Sequence, residues 1–216
     1  MGLRLRCGLR ILFIIGLVLG GIVGAPPRAR AAGPPGPGCF AETNQCVQGQ
    51  FLAYWQANGG LAQFGLPLTE VFDEFIVSNG RGAYYHVQYF ERVRMESHPE
   101  AADPASRVLL GQFGRRVLDG VPDAPTAVAS PQGGDTYFPE TGHNVGPRFG
   151  AYWRERGGLA QFGFPLTELF EERLDEGTVY QVQYFARARF ELHPENAAPY
   201  AVLLGQFGRQ LLDGPK

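Results

Sequence analysis

The chain has 216 residues, with 19 basic and 21 acidic side chains and a formal net charge of −2. Residues 1–31 hold five of the basic side chains and none of the acidic ones, so the remainder carries 14 basic against 21 acidic. A chain this acidic repels phosphate backbones, and we therefore exclude nucleic acid as its partner.

The N-terminal segment has the three-part layout of a secretory signal peptide. Three arginines fall within the first ten residues, residues 11–25 are apolar or glycine, and Ala29-Arg30-Ala31 offers the small residues of a cleavage site. The apolar run is shorter than the roughly 20 residues that a membrane-spanning helix needs. We expect residues 1–31 to be a cleaved signal peptide and residues 32–38 to be a Pro/Gly-rich spacer. The protein is then secreted or held at the cell surface, and only an uncleaved signal would tie it to a membrane.

A unit of about 80 residues occurs twice in the chain. Residues 54–70 recur as 152–168 with 13 of 17 positions identical, and the strings VQYF, HPE and LLGQFGR recur after them in the same order. We assign repeat 1 to residues 39–120, a linker to 121–136 and repeat 2 to 137–214. An active site needs one copy of its machinery, whereas a binding module gains avidity from two, so the duplication favours binding.

Cys39 and Cys46 are the only cysteines beyond the predicted signal peptide. In an oxidising compartment this pair predicts a disulfide, because a metal site would need more thiol or imidazole ligands nearby. The second copy has Tyr137 and Asn144 at the aligned positions, so the bridge is not essential to the fold.

The pattern of each unit predicts helices around a short sheet. Residues 49–58 place Phe51, Tyr54 and Trp55 on one helical face, and a Gly-Gly pair ends that helix. Residues 85–96 alternate as one strand, and residues 107–118 read as a closing helix. Three extra residues near positions 79–82 of the first copy predict an exposed hairpin tip. We expect an α+β fold of two homologous repeats, each with short sheet or hairpin elements flanked by helices.

The order of these motifs resembles the LGFP-type repeats of bacterial exported proteins, which share a tryptophan, a Gly-Gly pair, an FG-x-P turn and an aromatic strand. It is also similar to tandem repeats of exported Chloroflexota proteins, which continue into FE-x-HPE and LLG-x-x-G. The resemblance covers nearly all of residues 40–214. It implies a cell-envelope module, since LGFP repeats are associated with cell-wall attachment and often accompany hydrolase domains. The units here are longer than an LGFP repeat, and no second catalytic domain accompanies them.

Aromatic and basic side chains on the polar face of the predicted strand are the candidate ligand contacts. They are Phe90, Arg92, Arg94, Phe185, Arg187 and Arg189, and Tyr84, which occurs only in the first copy, is a further candidate. The arginines could grip carboxylates or phosphates of an envelope polymer, or could instead pair internally with glutamates that recur in both copies. The two phenylalanines could contact a ligand or pack under a loop. Trp55 and Trp153 could form a sugar-stacking platform, but we expect them to be largely buried core residues.

Glu96, His98 and Glu100 alternate along the chain, and the second copy repeats them as Glu191, His193 and Glu195. Such a set could hold a metal or supply the acid and base of a glycosidase. A proline follows each histidine and bends the chain, so we predict no metal site, and no nucleophile motif is present. We expect a non-catalytic envelope module without a cofactor, which binds cell-wall or extracellular polysaccharide or acts as a scaffold. The alternative is a secreted hydrolase that uses paired glutamates.

Overall fold

The framework of the protein is a pair of four-stranded antiparallel sheets, each built from one half of the chain. The computed structural model describes residues 36–78, 80–121, 123–128, 130–174 and 177–214. The predicted signal peptide and residues 32–35 of the predicted spacer lie outside the described residues. We call residues 39–120 the first half and residues 137–214 the second half.

The first half begins with a small hairpin and two helices and continues into its sheet. Its elements are β1 Cys39–Phe40, β2 Gln45–Cys46, α1 Gly49–Ala57, α2 Gly60–Phe64, β3 Phe72–Ser78, β4 Arg81–Tyr89, β5 Arg94–Ser97, a 3₁₀ turn Pro104–Ser106, β6 Val108–Leu110 and α3 Phe113–Leu118. The predicted disulfide between Cys39 and Cys46 is confirmed and joins β1 to β2. The mixed helix and sheet content likewise confirms the predicted α+β class.

The second half has helices and strands in the same order. Its elements are β7 Thr136–Phe138, β8 His143–Val145, α4 Pro147–Glu155, α5 Gly158–Phe162, β9 Phe170–Arg173, β10 Val179–Tyr184, β11 Arg189–Leu192, β12 Val202–Leu204 and α6 Phe207–Asp213. Strands that follow one another along the chain pair in the order β3-β4-β5-β6 in one sheet and β9-β10-β11-β12 in the other. None of the helices in the described ranges has the length and apolar composition that crossing a membrane requires.

The hairpin of β3 and β4 is longer than its counterpart of β9 and β10. Seven residue pairs join β3 to β4, from Phe72 opposite Val87 to Ser78 opposite Arg81, whereas four join β9 to β10. Residues 80–82 are exposed at the end of the longer hairpin, as predicted for the tip. Asn79 lies outside the described residues.

The prediction of one continuous strand over residues 85–96 is wrong. The chain turns back after β4, where the Phe90 N–H donates to the Val93 carbonyl at 2.8 Å, and β5 returns antiparallel to β4. Arg94 therefore lies opposite Tyr89, and Glu96 lies opposite Val87. Residues directly opposite each other share a face, so Arg94 and Glu96 lie on the Val87 face and not on the face of Gln88.

The prediction of a helix over residues 107–118 is wrong in its first part. Val108–Leu110 forms strand β6, which pairs with β5 through Met95 and Leu110, and the helix starts only at Phe113. The predicted helix at 49–58 matches α1, where Gly59 follows with a φ of +101°. Trp55 and Trp153 are only partly buried. Their indole N–H groups donate to the carbonyls of Gly65 at 3.3 Å and Gly163 at 3.0 Å.

The apolar interior is divided into three clusters. One lies between the sheet and helices of the first half and includes Phe51, Phe64 and Phe90. Its counterpart in the second half includes Phe149, Phe162 and Phe185. The third is shared by both halves, with these buried members: Val87, Tyr89, Phe113, Val117, Leu174, Val182, Tyr184 and Phe207.

Each C-terminal helix packs on the sheet of the other half. Helix α3 contacts β10, helix α6 contacts β4, and the two helices contact each other. Backbone hydrogen bonds cross at both places, from Arg115 N–H to the Ala186 carbonyl and from Arg209 N–H to the Glu91 carbonyl, each at 3.2 Å. The exchange buries the inner faces of both sheets and joins the halves into a shared core.

Candidate functional site

A charged network occupies the inner face of the first sheet. The guanidinium of Arg94 donates to Glu96 at 2.6 Å and to Glu74 at 2.7 Å, and the hydroxyl of Tyr89 donates to Glu74 at 3.0 Å. Arg94 lies 5.5 Å from the ring centroid of Phe113. Burial disfavours the charge of Arg94, but Glu96, Tyr89 and Glu74 together outweigh that effect and leave the pKa of Arg94 raised.

The second half repeats this network with Arg189 at its centre. Arg189 donates to Glu191 at 2.7 Å and to Glu172 at 3.4 Å, and it lies over the rings of Tyr184 and Phe207. Burial raises the pKa of Tyr184 to about 12. Of the two alternatives for these arginines, Arg94 and Arg189 therefore show internal pairing. Their partners are Glu96 and Glu191, joined by Glu74 and Glu172.

The two Glu–His–Glu sets are also internally paired. His98 contacts Glu96 through Nε2 at 3.4 Å and Glu100 through Nδ1 at 3.0 Å. The second-half distances are 3.2 Å and 2.9 Å. The two carboxylates of each set thus lie on different edges of the imidazole and do not face a common point. Within the described ranges, no group of three or more His, Cys, Asp or Glu side chains is arranged to hold a metal ion.

Four further predicted contacts lie at the turn between the second and third strands of each sheet. Phe90 and Phe185 are both 0% exposed, so neither ring has a face that a ligand could reach. Arg92 donates to the Leu61 carbonyl at 3.1 Å, and Arg187 donates to the carbonyls of Leu110 and Leu159. Burial lowers the pKa of Arg187.

Tyr84 is the most exposed of the predicted contacts. Its side chain is 72% exposed on the long hairpin, opposite Phe75, which is 55% exposed. The two rings are 5.2 Å apart and tilted by 59°. The adjacent pair on the same face is Asp73 and His86, whose side chains are hydrogen-bonded to each other. We call these four residues the hairpin platform. The corresponding aromatic pair of the second half is replaced by Arg173 opposite Val179.

A second accessible region lies between the halves. We call it the interhalf groove, an open cavity of about 690 Å³. It brings together Tyr54 and Arg115 of the first half with Phe164, Ala186 and Arg187 of the second. Gln161 of the second half contacts the first half. Its side-chain amide donates to the Tyr54 hydroxyl and to Asn58 Oδ1, at 3.0 Å each.

The polar-face pattern of the sequence does not point to Phe75 or Arg115. Phe75 belongs to an edge strand whose length follows from the three-residue insertion, which is the signal that could have located it. Arg115 reaches the groove only because helix α3 crosses to the other half, and local periodicity carries no information on that crossing. No family model, no curated protein and no solved structure matches this chain.

Proposed function

We propose that this protein is an exported, non-catalytic module of the bacterial cell envelope, built from two homologous repeats, and that it binds cell-wall or extracellular polysaccharide. The observation that carries the proposal is the hairpin platform. Phe75 and Tyr84 are large aromatic side chains that stay exposed beside a polar pair. Exposed apolar surface of this kind marks an interaction site.

The chemistry of the platform suits a sugar chain. Aromatic rings pack against the apolar C–H faces of pyranose rings, and polar groups at their edges bond the hydroxyls. Asp73 and His86 supply such groups next to the rings, on the same face of the hairpin. Two rings 5.2 Å apart offer a contact surface larger than either ring alone.

The internal pairing of the charged networks favours a non-catalytic role. Glu96 and Glu191 are the strongest acid or base candidates, and an arginine guanidinium lies 2.6 Å and 2.7 Å from them. An acid that must protonate a leaving group needs a carboxyl group free to face the substrate, and these carboxylates already accept charge-assisted hydrogen bonds from the arginines. Similar networks in both halves are better explained as structural ion pairs.

Export and envelope location rest on the signal-peptide layout and on the LGFP-like motifs. The disulfide between Cys39 and Cys46 agrees with an oxidising compartment, where such bridges persist. The shared element order and the similar hydrogen-bond networks of the two halves support their origin as homologous repeats.

Retention on purified cell-wall polysaccharide and on peptidoglycan tests the proposal. We expect the chain without residues 1–31 to be retained at low salt and Tyr84→Ala to weaken retention about tenfold, as for the loss of a stacking ring. Tyr200→Ala is the matched control, because Tyr200 is 64% exposed, belongs to the second half and is not one of the platform residues. If the unsubstituted chain is not retained beside a wall-binding control protein, binding is ruled out and a structural role remains.

A further inference from the structure

In the turns that contact the opposite C-terminal helices, the two halves differ in charge at one position. Glu91 follows Phe90 in the turn of the first half, whereas Ala186 follows Phe185 at the corresponding place in the second. The surrounding backbone contacts are the same in both. The two turns therefore show the same backbone arrangement with a carboxylate in the first half and without one in the second.

In the first half, Glu91 fills an anion site. Its carboxylate accepts a hydrogen bond from Arg209 Nη2 at 2.8 Å and another from the Leu66 backbone N–H at 3.1 Å. One guanidinium from the other half and one backbone amide thus bind this carboxylate. Charge-assisted hydrogen bonds of this kind are about twice as strong as neutral ones.

In the second half, the same donors are present without the carboxylate. Arg115 corresponds to Arg209, and its Nε bonds Gln112 at 3.2 Å just as Arg209 bonds Gln206. Phe164 corresponds to Leu66. Within the described part of the chain, Arg115 has no ion pair and the Phe164 N–H has no acceptor, because the methyl group of Ala186 offers none.

These donors line the interhalf groove. Arg187 adds a second cation there. Its guanidinium donates to two carbonyls and makes no ion pair within the described ranges, and Glu96 acts on it only at longer range. Asp103 also lines the groove, but its carboxylate accepts from Ala105 N–H and Ser106 Oγ at 3.0 Å and 3.1 Å. The groove therefore has two cations and a free amide beside one carboxylate that already has donors.

We propose that the interhalf groove binds a carboxylate of an acidic polysaccharide, which takes the place that the Glu91 side chain fills in the first half. The proposal rests on polysaccharide binding as the function and adds the ligand class, sugars that carry uronic acid groups. Tyr54 and Ser106, which carry hydroxyl groups, and apolar Leu159 line the rest of the cavity. This mixture matches the hydroxyls and C–H faces of a sugar better than the uniform charge of a phosphate polymer.

The test is calorimetric titration of the chain without residues 1–31 with oligogalacturonate, and with its methyl ester, in which the carboxylates are masked. We expect one oligogalacturonate to bind per chain and the ester to bind at least about tenfold more weakly. Arg115→Gln should weaken binding by a similar factor. Arg209→Gln is the matched control and should leave the affinity for oligogalacturonate unchanged, because Arg209 is already paired with Glu91.

Two reciprocal substitutions add the carboxylate to the second half and remove it from the first. Ala186→Glu introduces the carboxylate that the first half tolerates in the same frame, and it should abolish binding without unfolding the chain. Glu91→Ala should create a second site of similar affinity. Far-ultraviolet circular dichroism of each variant establishes that it is folded.

Several outcomes would overturn the assignment. Equal affinity for the methyl ester, or no response to Arg115→Gln and Ala186→Glu, removes the anion site. Equal affinity for oligoglutamate, inorganic phosphate or acetate removes the sugar and leaves a general anion site. If wall polysaccharide is retained through Tyr84 while oligogalacturonate does not bind, the acidic ligand fails and the proposed function stands. If oligogalacturonate binds through Arg115 and no wall material is retained, the groove binds the acidic ligand and the proposed wall-binding function fails.

Discussion

Two glycines allow the C-terminal helices to dock on the opposite halves. A Cβ atom added at Gly114 would lie 1.8 Å from the Phe185 carbonyl oxygen, and one added at Gly208 would lie 1.8 Å from the Phe90 carbonyl oxygen. Real Cβ atoms do not approach other heavy atoms below 3.0 Å. Because the obstacle is backbone in both cases, alanine forces the helix away from the turn by more than an ångström.

The magnitude follows from three effects. Overpacking of a well-packed site costs about 1–3 kcal/mol, and a forced contact with backbone lies at the upper end of that range. The shift also breaks the neighbouring hydrogen bond from Arg115 or Arg209, which contributes about 1 kcal/mol. Alanine favours a helix over glycine by about 1 kcal/mol, which offsets the second effect. We expect Gly114→Ala and Gly208→Ala each to lower the free energy of unfolding by about 3 kcal/mol.

Urea denaturation followed by tryptophan fluorescence measures these changes. Gly133→Ala is the control, because an added Cβ there meets no heavy atom within 4 Å, and it should stay within about 0.5 kcal/mol of the unsubstituted chain. The two helix variants should lose similar amounts, since their contacts are equivalent. Midpoints equal to that of the control would refute the docking of the helices as described.

Three further substitutions test the packing and the charged networks by the same unfolding measurement. Trp153→Phe removes the indole N–H bonded to the Gly163 carbonyl, and we expect a loss of about 1 kcal/mol; an unchanged midpoint would show that the bond adds no stability. The raised pKa of Tyr184, about 12 against about 10 when unfolded, makes stability fall as pH rises through that window, and Tyr184→Phe should flatten this fall. Arg94→Ala leaves two carboxylates without their cation, so we expect a loss of about 3 kcal/mol; a loss no greater than that of exposed Arg107→Ala would contradict a structural role.

Local features of the sequence predicted those parts of the fold that local interactions determine. Helix α1 follows from the spacing of its aromatic residues and the Gly-Gly pair after it. The disulfide follows from the two cysteines, and the exposed hairpin tip from the insertion. In each case the residues that determine the structure are within a few positions of it.

The wrong strand prediction arises because the same sequence alternation fits one long strand and a hairpin of two strands. Alternation with a period of two continues through both arms of a hairpin, and Glu91 and Arg92 carry no turn signal, so residues 85–96 read as one strand. Folding the strand back moves Arg94 to the inner face beside Tyr89. The partners of Arg94 and the crossing of helix α3 depend on contacts between distant residues, which periodicity does not encode.

The exchange of helices gives the second half a role in packing. Without the second half, Val87, Tyr89 and Phe113 of the first half would lose α6 and β10 and expose a contiguous apolar face. We predict that residues 36–120 produced alone do not form a stable monomer. They either stay unfolded or pair with a second copy that supplies the missing helix. Analytical ultracentrifugation with circular dichroism distinguishes these states, and a folded monomer of this half would contradict the prediction. Packing in this way involves the inner faces of both halves, and their outer surfaces differ. The second half has no aromatic pair corresponding to the hairpin platform. Arg209, which corresponds to Arg115 of the groove, is already paired with Glu91. The chain therefore offers each proposed site once.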